Sequence, residues 1–119
     1  QDTTPEMVVR RLAHSLGFRF RLHVKTLPGT PDLVFPRLRK IIDVRGCFWH
    51  VHSCGRCRIP SSRRAYWLRK LESNKTRDRK VLSELRRQGW RVLVVWECET
   101  IPGRRNQLQR RLAKFLRGE

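Results

Sequence analysis

Apolar residues near the start of the chain recur at helical spacing. Val8, Val9, Leu12 and Leu16 fall on one stripe, and Gly17 closes it. Thr3 with Glu6 three residues on has the form of a capping box, and Pro5 is tolerated in a first turn. The period then changes from 3.6 to 2. Phe18, Phe20, Leu22 and Val24 alternate with Arg19, Arg21, His23 and Lys25, which predicts a half-buried strand with one basic face. Leu27-Pro28-Gly29-Thr30-Pro31 predicts a loop, 32–35 a short strand, 36–40 a turn, and 40–45 a central strand ended by Gly46.

Residues 47–60 are irregular and rich in Cys, His and Gly. Two helices are expected next, about 63–71 and 75–88, with a break at Asn74. Val81, Leu82 and Leu85 share one face of the second, and Gly89 stops it. The run WRVLVVW at 90–96 predicts a buried strand, and 105–116 a last helix burying Leu108, Leu112, Phe115 and Leu116. The order is α-β-β-β-α-α-β-α. A meander followed by a helical crossover implies an α/β fold, a mixed sheet flanked by helices.

Length and charge narrow the function. A chain of 119 residues is expected to form one domain, 1–119, around one core. It carries 28 Lys and Arg against 10 Asp and Glu, a net charge of +18, so a polyanion is the expected partner. Residues 61–91 hold 11 basic and 3 acidic side chains, suited to tracking phosphates without reading bases. No apolar run approaches ~18 residues, so no membrane-spanning helix is expected. The start has no signal-peptide pattern, so a reducing cytoplasm is expected.

Against this basic background the few acids stand out. Pro31-Asp32 on one strand and Asp43-Val44-Arg45 on the next fit the PD-(D/E)xK nuclease pattern. Adjacent antiparallel strands bring two carboxylates side by side, where hard oxygen ligands hold Mg²⁺. Strand alternation puts Asp43 and Arg45 on one face, and the cation stabilises a phosphorane-like transition state. Arg45 stands where such folds usually have Lys and cannot serve as a base. The alternative is a turn aspartate and a surface ion pair.

Cys47, His50, His52, Cys54 and Cys57 crowd into eleven residues, and Cys98 arrives from a distant strand end. Zinc needs four such ligands, so six candidates leave up to two spare, and composition does not choose them. His50 is either a ligand or a general base. Phe48 and Trp49, within this loop, either wedge between bases or cap the metal site, and Tyr66 and Trp67 pose the same choice. His14 and His23 have no companions in the sequence and are assigned no role.

These residues together resemble the very-short-patch repair (Vsr) endonucleases. The carriers are LPGTPDLVF at 27–35, IIDVRGCFWHVHSC at 41–54, RIPSSRRAYWLRKLESNKTRDR at 58–79 and GWRVLVVWEC at 89–98; GCFWH is the most specific. The resemblance spans nearly the whole chain. It implies a restriction-endonuclease-type fold and a Mg²⁺-dependent nick 5′ of the thymine in T:G mismatches, which arise when 5-methylcytosine deaminates. It places Asp32 and the Val44 carbonyl on Mg²⁺, with Asp43 a further ligand outside the family pattern. His50 activates the attacking water, and Glu6 and Asn74 lie near the site. Phe48, Trp49 and Trp67 intercalate beside the mismatch, and Cys47, His52, Cys54 and Cys98 hold one structural Zn²⁺, leaving Cys57 spare.

Arg45, Arg63, Arg64, Lys75 and Arg77 are expected on the DNA backbone. Better-known members have a longer N-terminal arm that clamps DNA, whereas this sequence begins almost at its first helix. The expected partner is double-stranded DNA bearing a T:G mismatch, with mismatch-repair proteins as further partners. The expected state is a monomer on the nucleoid in the bacterial cytoplasm. Two rivals stand beside this reading: a PD-(D/E)xK nuclease for another DNA structure or mismatch, and a non-enzymatic zinc-stabilised DNA-binding module.

Overall fold

The structure, a computed structural model, describes residues 4–50, 52, 54–55 and 58–118. In chain order the elements are α1 (Thr4–Ser15), β1 (Arg21–Leu22), β2 (Leu33–Phe35), β3 (Lys40–Arg45), α2 (Arg64–Arg87), β4 (Arg91–Trp96) and α3 (Arg105–Arg117), with short 3₁₀ turns after β2, after β4 and before α3. The sheet order is β1-β2-β3-β4; the first three strands form an antiparallel meander, and β3 pairs with β4 in parallel.

Strand alternation sorts the sheet into two apolar layers. Leu33, Phe35, Ile42 and Val95 pack with Val8, Val9 and Ala13 of α1 and Leu108, Leu112 and Leu116 of α3. On the opposite face Val34 and Ile41 meet Leu85 of α2 and Trp90. Full burial of an aliphatic side chain stabilises by about 1.5–3 kcal/mol, so the α1/α3 layer carries most of the fold's stability. Lys40 fixes α3 further by donating from Nζ to the carbonyl of Phe115 at 2.5 Å, at the helix end where unpaired carbonyls attract cations.

The register sets up the chemistry. Leu33 faces Ile42 and Val34 faces Ile41, so one further step puts Asp32 opposite Asp43. Leu22 faces Leu33, and one step on puts His23 opposite Asp32. In the loop before Asp32, Gly29 adopts φ +74, and a Cβ there would stand 2.6 Å from Cγ1 of Val81; a bare Cα lets the loop lie against α2.

Several elements differ from the sequence pattern. The alternation over 18–25 yields two paired residues, because His23 takes φ +47 and leaves the extended region. Phe18 and Phe20 still pack on the core. No break occurs at Asn74: α2 runs unbroken for 24 residues, about 36 Å. The Asn74 amide donates to the Trp49 carbonyl instead of competing for its own helix backbone. The apolar β4 is an edge strand, so Val92, Leu93 and Val94 are half-buried and Val95 is enclosed. Thr3 of the expected capping box lies outside the described residues. Among the described residues no helix is long and apolar enough to cross a membrane.

Candidate active site and metal centre

Asp32 immediately precedes β2, and its Oδ2 accepts the Val44 backbone N–H at 2.7 Å. Asp43, opposite, accepts from Nε of Arg45 at 3.1 Å. Glu6 arrives from α1 with 2% of its side chain exposed; its Oε2 accepts from Arg10 at 2.6 Å and lies 2.9 Å from Nε2 of His23. That nitrogen is 3.9 Å from Oδ1 of Asp32. Burial, and then the neighbouring Asp43 and Glu6 carboxylates, push the Asp32 carboxyl up to about 8, against the lowering effect of the Val44 hydrogen bond. An Asp32 carboxyl this reluctant to ionise fits a site completed by a divalent cation. Glu6, His23 and Asp32 place one donor atom each within 4.8 Å of one another.

His23 therefore has companions that the sequence reading did not give it. The available signal was the hairpin register, which sets 23 across from 32. Arg45, expected on the DNA backbone, is buried and folded onto Asp43.

Beyond Arg45 lies a cleft of about 250 Å³, lined by Arg45, His50, Lys75, Asp78 and Trp96 among others. Nδ1 of His50 is 2.6 Å from Oδ2 of Asp78 on α2. This pairing holds the imidazole with Nε2 turned to other partners. Asp78 was missed by sequence reasoning. Its signal was the i, i+4 spacing from Asn74, which gives one face of α2 two contacts with the 47–52 loop. The Trp96 ring stacks on His52 at 4.1 Å and meets the edge of His50 at 6.4 Å, so one side chain buttresses both histidines.

The loop itself is tied down by a second cluster. Cys47, His52, Cys54 and Cys98 present ligand atoms all within 4.8 Å of one another. Cys47 and Cys98 are buried, and Sγ of Cys98 is 3.6 Å from Nδ1 of His52. Burial pushes the Cys47 thiol up to about 12, so the site is ill suited to a bare thiolate and well suited to a thiolate neutralised by metal. Three sulfurs and one imidazole nitrogen make a four-donor set that could hold a metal ion, of the chemical type that Zn²⁺ takes. His50 is outside this cluster. Cys57 lies outside the described residues.

Phe48, Trp49 and Trp67 form an aromatic cluster with ring centroids 5.0, 5.5 and 5.8 Å apart. Trp49 is 48% exposed, an unusual position for so large an apolar ring. Asn74 donates to its carbonyl at 3.0 Å and is itself buried. Arg77 donates to Asn74 at 3.3 Å, Arg63 stacks over Tyr66 at 4.6 Å, and Arg64 is exposed.

Acidic side chains beside a mixed sheet, a carboxylate-held histidine and a partly exposed aromatic cluster on a basic body are features a nuclease would use. The family described as "DNA mismatch endonuclease Vsr" matches residues 1–56. The chain is 54% identical over 99 residues to the type II nicking enzyme V.XorIIP of Xanthomonas oryzae pv. oryzae, covering 83% of this chain and 73% of that protein. It is 40% identical over 123 residues to the DNA mismatch endonuclease Vsr of Escherichia coli K12, covering 100% of this chain and 78% of that one. A third relative, the type II nicking enzyme V.NmeAIP of Neisseria meningitidis serogroup A, is 41% identical over 99 residues, covering 83% of this chain and 71% of its own length. The chain belongs to the Vsr DNA mismatch endonuclease family and is a DNA endonuclease of mismatch repair.

Proposed function

We propose that this endonuclease nicks one strand 5′ of the thymine in a T:G mismatch, using Mg²⁺ at Asp32 and a structural Zn²⁺ at Cys47, His52, Cys54 and Cys98. In this reading the chain is a single restriction-endonuclease-type domain acting as a monomer in the bacterial cytoplasm, alongside other mismatch-repair proteins. The observation that carries it is the continuity of the site through Arg45, which pairs with Asp43 beside the buried acids and also lines the cleft holding His50 and Asp78.

Asp32, the Val44 carbonyl and Asp43 would hold the Mg²⁺, in this reading two ions, and the bound metal would supply charge neutralisation at the scissile phosphate and at the leaving 3′ oxygen. His50 accepts a proton from the attacking water at Nε2 while Asp78 holds Nδ1. Arg45 offsets the charge of Asp43 and faces the incoming phosphate. Lys75, Arg63, Arg64 and Arg77 bind backbone phosphates. Phe48, Trp49 and Trp67 insert beside the mismatch; unstacking costs a few kcal/mol per step and less where pairing is already imperfect, a source of selectivity.

The test is cleavage of duplexes with identical flanks carrying T:G, another mismatch or perfect pairing, with Mg²⁺ or with EDTA. The expected result is a single nick at T:G, ending in 5′-phosphate and 3′-hydroxyl, that EDTA abolishes. Equal rates on all three duplexes would overturn mismatch selectivity, and tight binding without cutting would leave the binding module.

A further inference from the structure

His23 is placed by an unusual local geometry. β1 ends at Leu22, and the next residue takes φ +47, a conformation few non-glycine residues adopt, with its N–H donated to the Asp32 carbonyl at 3.1 Å. The side chain leaves the basic face predicted by alternation and enters the acidic site, with Nε2 2.9 Å from Glu6 and 3.9 Å from Asp32. Backbone held in a rare conformation that aims one imidazole at two carboxylates is the feature to be explained.

A hydrogen bond to Glu6 would account for the shorter distance alone. The pair of distances fits something more. Ligands about 2.1 Å from one ion stand about 3.0 Å apart when adjacent in an octahedron and about 4.2 Å apart when opposite. Both His23 distances lie within about 0.3 Å of one of those values. Glu6 retains capacity for a cation although Arg10 donates to the same oxygen at 2.6 Å, because a carboxylate offers two oxygens and about four lone-pair directions.

We propose that His23 is a metal ligand which, with Glu6 and Asp32, makes a mixed nitrogen and oxygen site favouring Mn²⁺ and Co²⁺ over Mg²⁺. The inference rests on Asp32 being a metal carboxylate and deepens that reading by naming the ions the site prefers. Imidazole adds affinity for transition ions, rising from Mn²⁺ to Co²⁺, and little for Mg²⁺, which is satisfied by oxygen and water.

The experiment uses the full chain with zinc retained and Mn²⁺ alone as probe. Pulsed EPR of the bound Mn²⁺ is expected to show ¹⁴N coupling from one directly bound imidazole, lost in His23→Gln and kept in His50→Gln. Equilibrium titration is expected to show Co²⁺ binding at least about tenfold weaker in His23→Gln, with Mg²⁺ binding changed less than about twofold. Absence of ¹⁴N coupling in the wild-type chain overturns the proposal whether or not the variant folds. Coupling that survives in His23→Gln, or equal losses for Co²⁺ and Mg²⁺, also overturns it. Mg²⁺-dependent nicking by the wild-type chain is scored separately, so loss of the His23 assignment is distinguishable from loss of the T:G reading.

Discussion

Nδ1 of His50 sits 2.6 Å from Oδ2 of Asp78, joining a loop histidine to the middle of a helix 28 residues further along the chain. The two groups are partly buried, with 24% and 14% of their side chains exposed, so the contact is shielded from bulk water without being dry. A carboxylate on one ring nitrogen fixes the tautomer and orientation, leaving the other nitrogen for the proton of an attacking water.

Asp78→Asn keeps the shape of this contact and removes its charge. The variant is expected to fold and to bind mismatched duplex with near wild-type affinity. Its single-turnover nicking rate is expected to fall by about 10²-fold or more, the usual worth of a positioned general base. Rapid-quench kinetics beside a binding isotherm separate the two effects. An unchanged rate would leave Asp78 as a structural anchor only.

Asp32 gives a prediction with a pH sign. Its carboxyl is raised in the folded chain from the ordinary 3.8 to about 8. Between those values the folded chain keeps a proton that the unfolded chain has released, so this group's contribution falls as pH rises from about 4 to about 8 and then levels off. Asp32→Asn removes the penalty and still accepts the Val44 N–H. Without added Mg²⁺, the variant is expected to melt a few degrees above the wild-type chain at pH 8.5, with the gap closing near pH 4.5. Water reaches the 16% of this side chain that is exposed, which holds the gain to about 1–2 kcal/mol. Mg²⁺-dependent nicking is expected to be lost. A variant less stable than wild type at pH 8.5 would contradict the crowding argument.

The elements that sequence patterning predicted well are those with long, one-sided apolar periods. α1 and α3 each bury an unambiguous stripe, and β3 is apolar on both faces because it is central. Positions decided by one side chain's partner were illegible. Asn74 resembles a helix breaker until its amide finds the Trp49 carbonyl, and His23 resembles a strand residue until its φ is known. In the site, Cys47, His52, Cys54 and Cys98, the four that the family resemblance implies, come together in space, whereas spacing had left six candidates. Asp78 and His23 left only indirect signals, helical spacing from Asn74 and the hairpin register, because each meets its partner across elements that local periodicity does not relate.

That cysteine cluster yields a direct measurement. Purified protein is expected to contain about one zinc per chain. Cys98 links the end of β4 to the Cys47 loop, so Cys98→Ser is expected to lose zinc and to destabilise the fold by on the order of 3 kcal/mol or more. Cys57→Ser is expected to keep zinc and melt near the wild-type temperature. Metal analysis beside thermal melts decides it, and the reverse pattern would mean that Cys57 is a ligand.

The Trp49 carbonyl and the Asn74 amide, 3.0 Å apart, set the pose of an exposed ring. Ala has a higher intrinsic helix propensity than Asn, so Asn74→Ala costs α2 nothing as a helix and removes the tether together with the acceptor of Arg77. Losing the tether leaves the Trp49 carbonyl without that partner and frees Trp49 from its place beside Phe48 and Trp67. The helical circular dichroism of the variant is therefore expected to match wild type, while its preference for T:G over perfectly paired duplex in competition binding falls about tenfold. Affinity for perfect duplex is expected to hold, because every basic side chain that supplies it is retained. If affinity for both duplexes fell equally, Asn74 would be supporting the binding surface as a whole; if neither changed, the Trp49 ring would be posed by its aromatic neighbours without help from α2.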